Sequence, residues 1–157
     1  VGAHRLGLID HRLLRLFLGL CLSLLALPAL AVDVHVQPGA GTLQTAIAGS
    51  KPGDVLLLAA GTYAGPVVID HPLTLQGSDG TVIDGQGQGT VITITGSDVT
   101  IRGLTITRSG GRGEDMDAGV KTVKGAARVL IENNRLTDKF HGIDGKGFVA
   151  GLEVGGG

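Results

Sequence analysis

From position 55 onward, aliphatic and polar residues alternate in runs of two to four, separated by Gly, Asp, Ser and Asn. The runs fall at 55–58, 67–69, 73–75, 82–83, 91–94, 99–101, 104–106, 120–123 and 129–131. A period of two marks a strand with one buried face. The intervening 60–62, 77–80, 84–87 and 96–98 carry turn chemistry. Strands this short do not make a stable isolated sheet, so the pattern predicts that they stack on one another.

An internal repeat points the same way. Val99-Thr-Ile101-Arg-Gly103-Leu-Thr-Ile106-Thr107 lies over Val129-Leu-Ile131-Glu-Asn133-Asn-Arg-Leu136-Thr137 at a shift of thirty, and Leu73-Thr-Leu75-Gln-Gly77 is an earlier copy shifted by twenty-six. Repeats of this length with β-branched alternation predict an all-β fold, a right-handed parallel β-helix (solenoid) in which each turn pairs with the next. Within each V-x-I unit the outer two side chains point inward and the middle one (Thr74, Thr100, Leu130) points out. Gly103 and Asn133 fall at a corner, where both tolerate left-handed backbone and an Asn can bond to neighbouring turns. The Asn133-Asn134 pair is read as structural.

One helix is predicted, over 42–49, with Thr42 as N-cap and Leu43, Ala46 and Ile47 on one apolar stripe. Gly49 and Lys51-Pro52-Gly53-Asp54 end it. Such a helix covers the open first edge of a parallel stack. At the other end, the glycine-rich 145–157 reads as an irregular tail, so the solenoid is expected to be truncated at its C-terminus; the alternative is a last short strand over 148–154.

The first 31 residues read as an address. Arg5, Arg12 and Arg15 precede an apolar run over 16–27, Pro28 ends it, and Ala29-Leu30-Ala31 offers a signal peptidase the small side chains it accepts. The expected division is 1–31 signal peptide, 32–144 partial parallel β-helix domain and 145–157 tail, with an exported, periplasmic product. A run of about twelve apolar residues falls short of the roughly twenty needed to span a bilayer, and the competing reading is an uncleaved anchor. The only cysteine, Cys21, lies inside that run, so the remaining chain forms no disulfide and depends on burial and backbone hydrogen bonds. Beyond Ala31 stand ten Lys/Arg against thirteen Asp/Glu, with no basic stripe and with Tyr63, Phe140 and Phe148 as the only aromatic residues. Nucleic acid is therefore not an expected partner.

The segments Pro38-Gly-Ala-Gly-Thr-Leu-Gln-Thr-Ala-Ile47 and Pro52-Gly-Asp-Val-Leu-Leu-Leu-Ala-Ala-Gly-Thr-Tyr-Ala-Gly65 resemble the opening of the pectate-lyase-like β-helix superfamily. The continuation, Pro66-Val-Val-Ile-Asp-His-Pro-Leu-Thr-Leu-Gln-Gly77, Val82-Ile-Asp-Gly85, Val99-Thr-Ile-Arg-Gly-Leu-Thr-Ile106 and Glu114-Asp-Met-Asp-Ala-Gly-Val120, is similar to the periplasmic NosD family. That resemblance covers roughly 36–143. It implies a non-enzymatic accessory protein that helps mature the copper site of nitrous oxide reductase alongside an ABC transporter, with those two proteins as partners.

Candidate chemistry is sparse. Glu114, Asp115 and Asp117 lie within four positions of one loop, where carboxylates can hold calcium, but no second carboxylate cluster recurs one repeat away to form an acid/base pair. Copper calls on thioether or imidazole, offered by Met116, His35, His71 and His141. Met116 and His141 are about one repeat apart and suited to adjacent turns. The candidate metal residues are thus Met116, His141, Asp115 and Asp117; no catalytic or cofactor-binding residue is predicted. The Gly85-Gln-Gly87-Gln-Gly89 run lacks the spacing and the following helix of a nucleotide loop. Two further readings stand beside the accessory role: a carbohydrate-active β-helix, a polysaccharide lyase or hydrolase using calcium, and a non-functional truncated fragment.

Overall fold

The computed structural model describes residues 30–111, 117–137 and 141–144, the last four through their backbone. Strand β1 (Asp33–Val36) and helix α1 (Thr42–Gly49) come first. Strands β2 (Val55–Leu58), β3 (Gly61–Ala64) and β4 (Val67–Ile69) then make one circuit, and β5 (Leu73–Gly77), β6 (Thr81–Asp84) and β7 (Ile92–Ile94) a second. A third follows with β8 (Val99–Arg102), β9 (Thr105–Thr107) and β10 (Ala118–Thr122), and a fourth with β11 (Leu130–Glu132), β12 (Arg135–Thr137) and β13 (His141–Asp144).

Three sheets result, ordered β1-β2-β5-β8-β11, β3-β6-β9-β12 and β4-β7-β10-β13. Every pairing is parallel, each strand lying beside its counterpart from the circuit before. The registers carry the sequence repeat into space. Leu75 pairs with Ile101, twenty-six positions on, and Ile101 with Ile131, thirty positions on. The fold is thus a parallel, three-sheet, β-helix arrangement.

The period of two explains the core. Leu73, Leu75, Val99, Ile101, Val129 and Ile131 are buried, while Thr74, Thr100 and Leu130 between them are half-buried. Similar columns run through Tyr63, Ile83, Ile106 and Leu136 in the second sheet and through Val67, Ile92 and Val120 in the third. Each fully buried aliphatic side chain contributes about 1.5–3 kcal/mol by leaving water. Burial and backbone ladders do the work that cross-links do in small cysteine-rich domains.

Helix α1 lays Leu43 and Ile47, both buried, over the start of the stack, with Ala46 packed partly against the same core. It also closes an edge. The side-chain amide of Gln44 accepts from the Val68 N–H (2.8 Å) and donates to the Val68 carbonyl (3.4 Å), satisfying strand groups that would otherwise be open for pairing. The expected N-cap at Thr42 is corrected: Gly41, in left-handed conformation, is the cap, and Thr42 is the first helical residue, its hydroxyl donating to the Gly39 carbonyl. Left-handed backbone suits Gly better than Thr, which explains the displacement by one position.

Two further corrections concern turns and strands. Positions 61–62, read as a turn, belong to β3, which buries Tyr63 and lets its hydroxyl donate to the Val36 carbonyl (2.7 Å). At the 133–134 corner, Asn133 has φ of 52° as expected, but the bonding amide is that of Asn134. Buried Asn134 accepts from the Leu104 N–H (3.0 Å) and donates to the Ile101 carbonyl (2.8 Å), tying the fourth circuit to the third. Among the described residues no helix is long and apolar enough to cross a membrane.

Candidate functional site

Three corners join the three sheets, and they differ in what they carry. Between the second and third sheets the connection is 65–66 in the first circuit, 85–91 in the second and 108–117 in the third. A connection that lengthens at one corner while the ladders stay in register makes that corner the place where loops project.

The roots of these loops are zipped together. Gly85 N–H donates to the Thr107 carbonyl, Gly87 N–H to Arg108 and Gly110 N–H to Gly89, at 2.7–2.9 Å. The Arg108 guanidinium grips Asp84 with two nitrogens, Nε to Oδ1 at 2.8 Å and Nη2 to Oδ2. Asp84 also accepts the Gln86 N–H (2.8 Å). The Arg108 hydrogen bond, helped by the one from Gln86, holds the Asp84 carboxyl below the ordinary carboxylate range against a smaller opposing effect of burial.

The predicted metal residues belong to the third-circuit connection, at 115–117, and to the start of β13, at 141. Glu114, Asp115 and Met116 lie outside the described residues. Asp117 is half-buried, and its carboxylate sits where a side chain at Gly110 would be. His141 opens β13, where its backbone pairs with Ala118, the residue after Asp117; its side chain lies outside the described residues. The ladder thus sets the backbone of Ala118 beside that of His141 on adjacent strands, and the expected pairing of Met116 with His141 lies outside the described residues. In the third-circuit connection the Ser109 hydroxyl is buried without a hydrogen-bond partner, an uncommon state for a native hydroxyl. Among the described residues, no group of three or more His, Cys, Asp and Glu is gathered for a metal ion.

Of the other histidines, His35 is exposed on β1. His71 is partly buried within an arrangement that sequence spacing did not reveal. Its Nδ1 lies 2.6 Å from Asp70 Oδ1 and its Nε2 2.9 Å from the Ser50 hydroxyl, which itself donates to the Ile47 carbonyl (2.7 Å). Since an ionised carboxylate only accepts, Nδ1 carries a proton, and this bond is the main reason the Asp70 carboxyl is held low. The order Ser-His-Asp matches a hydrolytic triad, but the surroundings do not. Ser50 caps the carboxyl end of α1, where carbonyl oxygens create negative potential, and the neighbouring Lys51 N–H is committed to Asp54 at 2.7 Å. An oxyanion needs aimed donors at that point. The arrangement instead fastens the end of α1 to the third corner. Asp54 completes the fastening by accepting from Lys51 and Val32 N–H groups, bonds that hold its carboxyl low.

Comparison with known proteins places the chain. No family model matches it. It is 36% identical over 86 residues to a probable ABC transporter binding protein NosD of Pseudomonas aeruginosa and equally to one of Stutzerimonas stutzeri, covering 55% of this chain in each case. The chain spans 20% of the length of either relative. A shorter Pseudomonas aeruginosa protein of the same name is 38% identical over 98 residues, 62% of this chain and 86% of that relative. Among solved structures, the PL6 family alginate lyase AlyGC matches with a TM-score of 0.54 at 22% identity, over 76% of this chain and 18% of the enzyme. A variant of the same enzyme matches with a TM-score of 0.60 at 24% identity, over 73% and 18%. At that identity the likeness speaks for the fold alone, the parallel β-helix of those lyases. The 38% identity across most of a relative's length is of another order, and by it the chain belongs to the NosD family.

Proposed function

We propose that the chain is part of an exported, right-handed solenoid accessory protein that works with an ABC transporter and supports assembly of the copper site of nitrous oxide reductase. Family membership carries this reading, through the 38% identity over 86% of a NosD relative. The name of those relatives, probable ABC transporter binding protein, supports a transporter association. The stacked parallel sheets supply an outer surface suited to docking, and copper would be held transiently, as cargo. Met116 and His141 offer thioether and imidazole, the ligand types copper favours, and Asp115 and Asp117 flank Met116 in the sequence with carboxylates. The resident protein would be periplasmic after removal of 1–31.

Deleting the gene is expected to leave nitrous oxide reductase present but depleted of copper, and a full copper complement in the deletion strain overturns the reading. Amino-terminal sequencing of the exported product is expected to begin at Val32; a product that keeps Arg5, Arg12 and Arg15 refutes the cleaved leader.

A second reading, a carbohydrate-active β-helix, is favoured by the fold likeness to alginate lyase and by the acidic loop, where calcium would be the cation. Incubation with uronate and neutral polysaccharides in the presence of calcium separates the two: the accessory role expects no depolymerisation, and the enzymatic one expects new chain ends.

A further inference from the structure

Among the described residues, Asp54 is the one charged side chain that is buried, with 5% of its surface exposed. Its place is fixed without help from β1. The Asp54 N–H donates to the Lys51 carbonyl (3.1 Å), the Gly53 N–H to the Pro72 carbonyl (2.8 Å) and the Thr74 N–H to the Asp54 carbonyl (3.0 Å). The turn after α1 and the circuit that follows therefore hold this residue from both sides, and the carboxylate goes where they put it.

A carboxylate out of water calls for a counter-charge or for several aimed donors. Asp54 has two donors, both neutral: Oδ2 accepts the Lys51 N–H at 2.7 Å and Oδ1 the Val32 N–H at 3.1 Å. No cation of the described residues forms an ion pair with it. The charged and titratable groups around it are Lys51 on the same turn, His71 with its partner Asp70 at the third corner, and Asp33 beside Val32. One of the two donors, Val32, is the residue that the expected leader cleavage makes first in the chain.

Cleavage changes that nitrogen. Water adds across the Ala31–Val32 peptide bond, the new carboxylate departs with the leader on Ala31, and the Val32 amide nitrogen becomes an amine that takes up a proton at neutral pH. We propose that leader removal turns the Val32 nitrogen into the counter-ion of Asp54, an ion pair that locks β1 onto the turn after α1. The inference rests on the leader reading given above. A charge-assisted hydrogen bond is roughly twice as strong as a neutral one. Val32 is 52% exposed, so water remains for the other protons of the ammonium. The Val32 carbonyl accepts the Val55 N–H (3.0 Å), the rung at which the first sheet begins, so the pair fastens a residue that would otherwise fray as a chain end. Cleavage at any other bond would set the ammonium away from the carboxylate.

The test compares the chain released at Val32 from a cleavable amino-terminal tag with the same chain retaining Leu30 and Ala31, whose ammonium stands two residues away. In urea titrations near pH 6.5 the Val32 chain is expected to have a folding constant about tenfold larger, and its α-amine, followed by NMR, to hold its proton about tenfold more tightly. That advantage is present below the ordinary α-amine range and is lost as pH rises through the higher value of the paired ammonium; on the acid side it is lost as Asp54 takes up a proton. Asp54→Asn is expected to erase the difference between the two chains. Should that variant fail to fold, the α-amine titration of the two unsubstituted chains decides. Equal folding constants, or α-amines that titrate alike, overturn the proposal. Amino-terminal sequencing separates this from the leader reading: an exported product that begins elsewhere than Val32 overturns both, whereas a product that begins at Val32 and shows no advantage overturns the ion pair alone.

Discussion

The corner between the first and second sheets and the corner between the second and third do opposite things with the same backbone. At the first, two or three residues suffice in every circuit, and the second and third circuits approach so closely at Gly77 and Gly103 that a side chain at either would meet backbone. A Cβ at Gly77 would strike the Gly103 carbonyl and the Leu104 side chain. Gly103, with φ of 68°, adopts a conformation that other residues take only with strain. At the second corner the connection grows from 65–66 to 108–117 without disturbing the ladders on either side. One corner is fixed by backbone contact and can present only a recess. The other, tied at its roots by N–H to carbonyl bonds and the Asp84–Arg108 pair, has room to vary what it presents.

The largest test of this contrast is an insertion. Placing Gly-Ser between Gly103 and Leu104 is expected to abolish cooperative unfolding in a denaturant titration, because the extra residues must push apart the close approach of Gly77 to Gly103 and break the bond from the Leu104 N–H to Asn134. The same pair inserted between Gly87 and Gln88 is expected to cost no more than about 0.6 kcal/mol, the order for lengthening a flexible loop. Equal costs would show that the two corners are alike.

Next comes Gly77→Val, expected to destabilise by about 3 kcal/mol, since a branched side chain must displace backbone rather than a flexible chain end. The midpoint of chemical unfolding measures it. Asn134→Ala follows at about 2 kcal/mol, the order for leaving buried groups unbonded, here the Leu104 N–H and the Ile101 carbonyl. The smallest effect belongs to the second corner. Asp84→Asn is expected to cost about 1 kcal/mol or less at neutral pH, because half of the pair faces solvent.

The same residue gives a pH dependence with a definite sign. The Asp84 carboxyl is held lower in the folded chain than in the unfolded one, so its contribution is full above the ordinary carboxylate value of 3.8 and is lost as pH falls below that through the lower folded-state value. Thermal melts of the Asp84→Asn chain and the parent should therefore differ most at neutral pH and converge as the pH falls well below 3.8. A gap that persists undiminished at acid pH would refute the linkage.

How much was legible beforehand follows from the same distinction. The strands over 55–58 and 67–69 were readable to the residue, because alternation of aliphatic and polar positions reports the buried face directly. The shifts of twenty-six and thirty were readable as ladder registers, because circuits of one solenoid must repeat the same inward pattern. Strand β3 was not, since Gly61 and Thr62 look like a turn until Tyr63 is seen to need a place in the second column. The Ser50, Asp70 and His71 contacts were equally invisible. Ser50 and His71, for example, are 21 positions apart in the chain and meet only through the winding.

The amino-acid order by itself determined the short strands, the covering helix and the absence of disulfides beyond Ala31, because each depends on local alternation, on a single repeat length or on composition. Only the tertiary structure decided which Asn ties the circuits and which residue caps α1, because those outcomes depend on what lies above and below a residue in the stack.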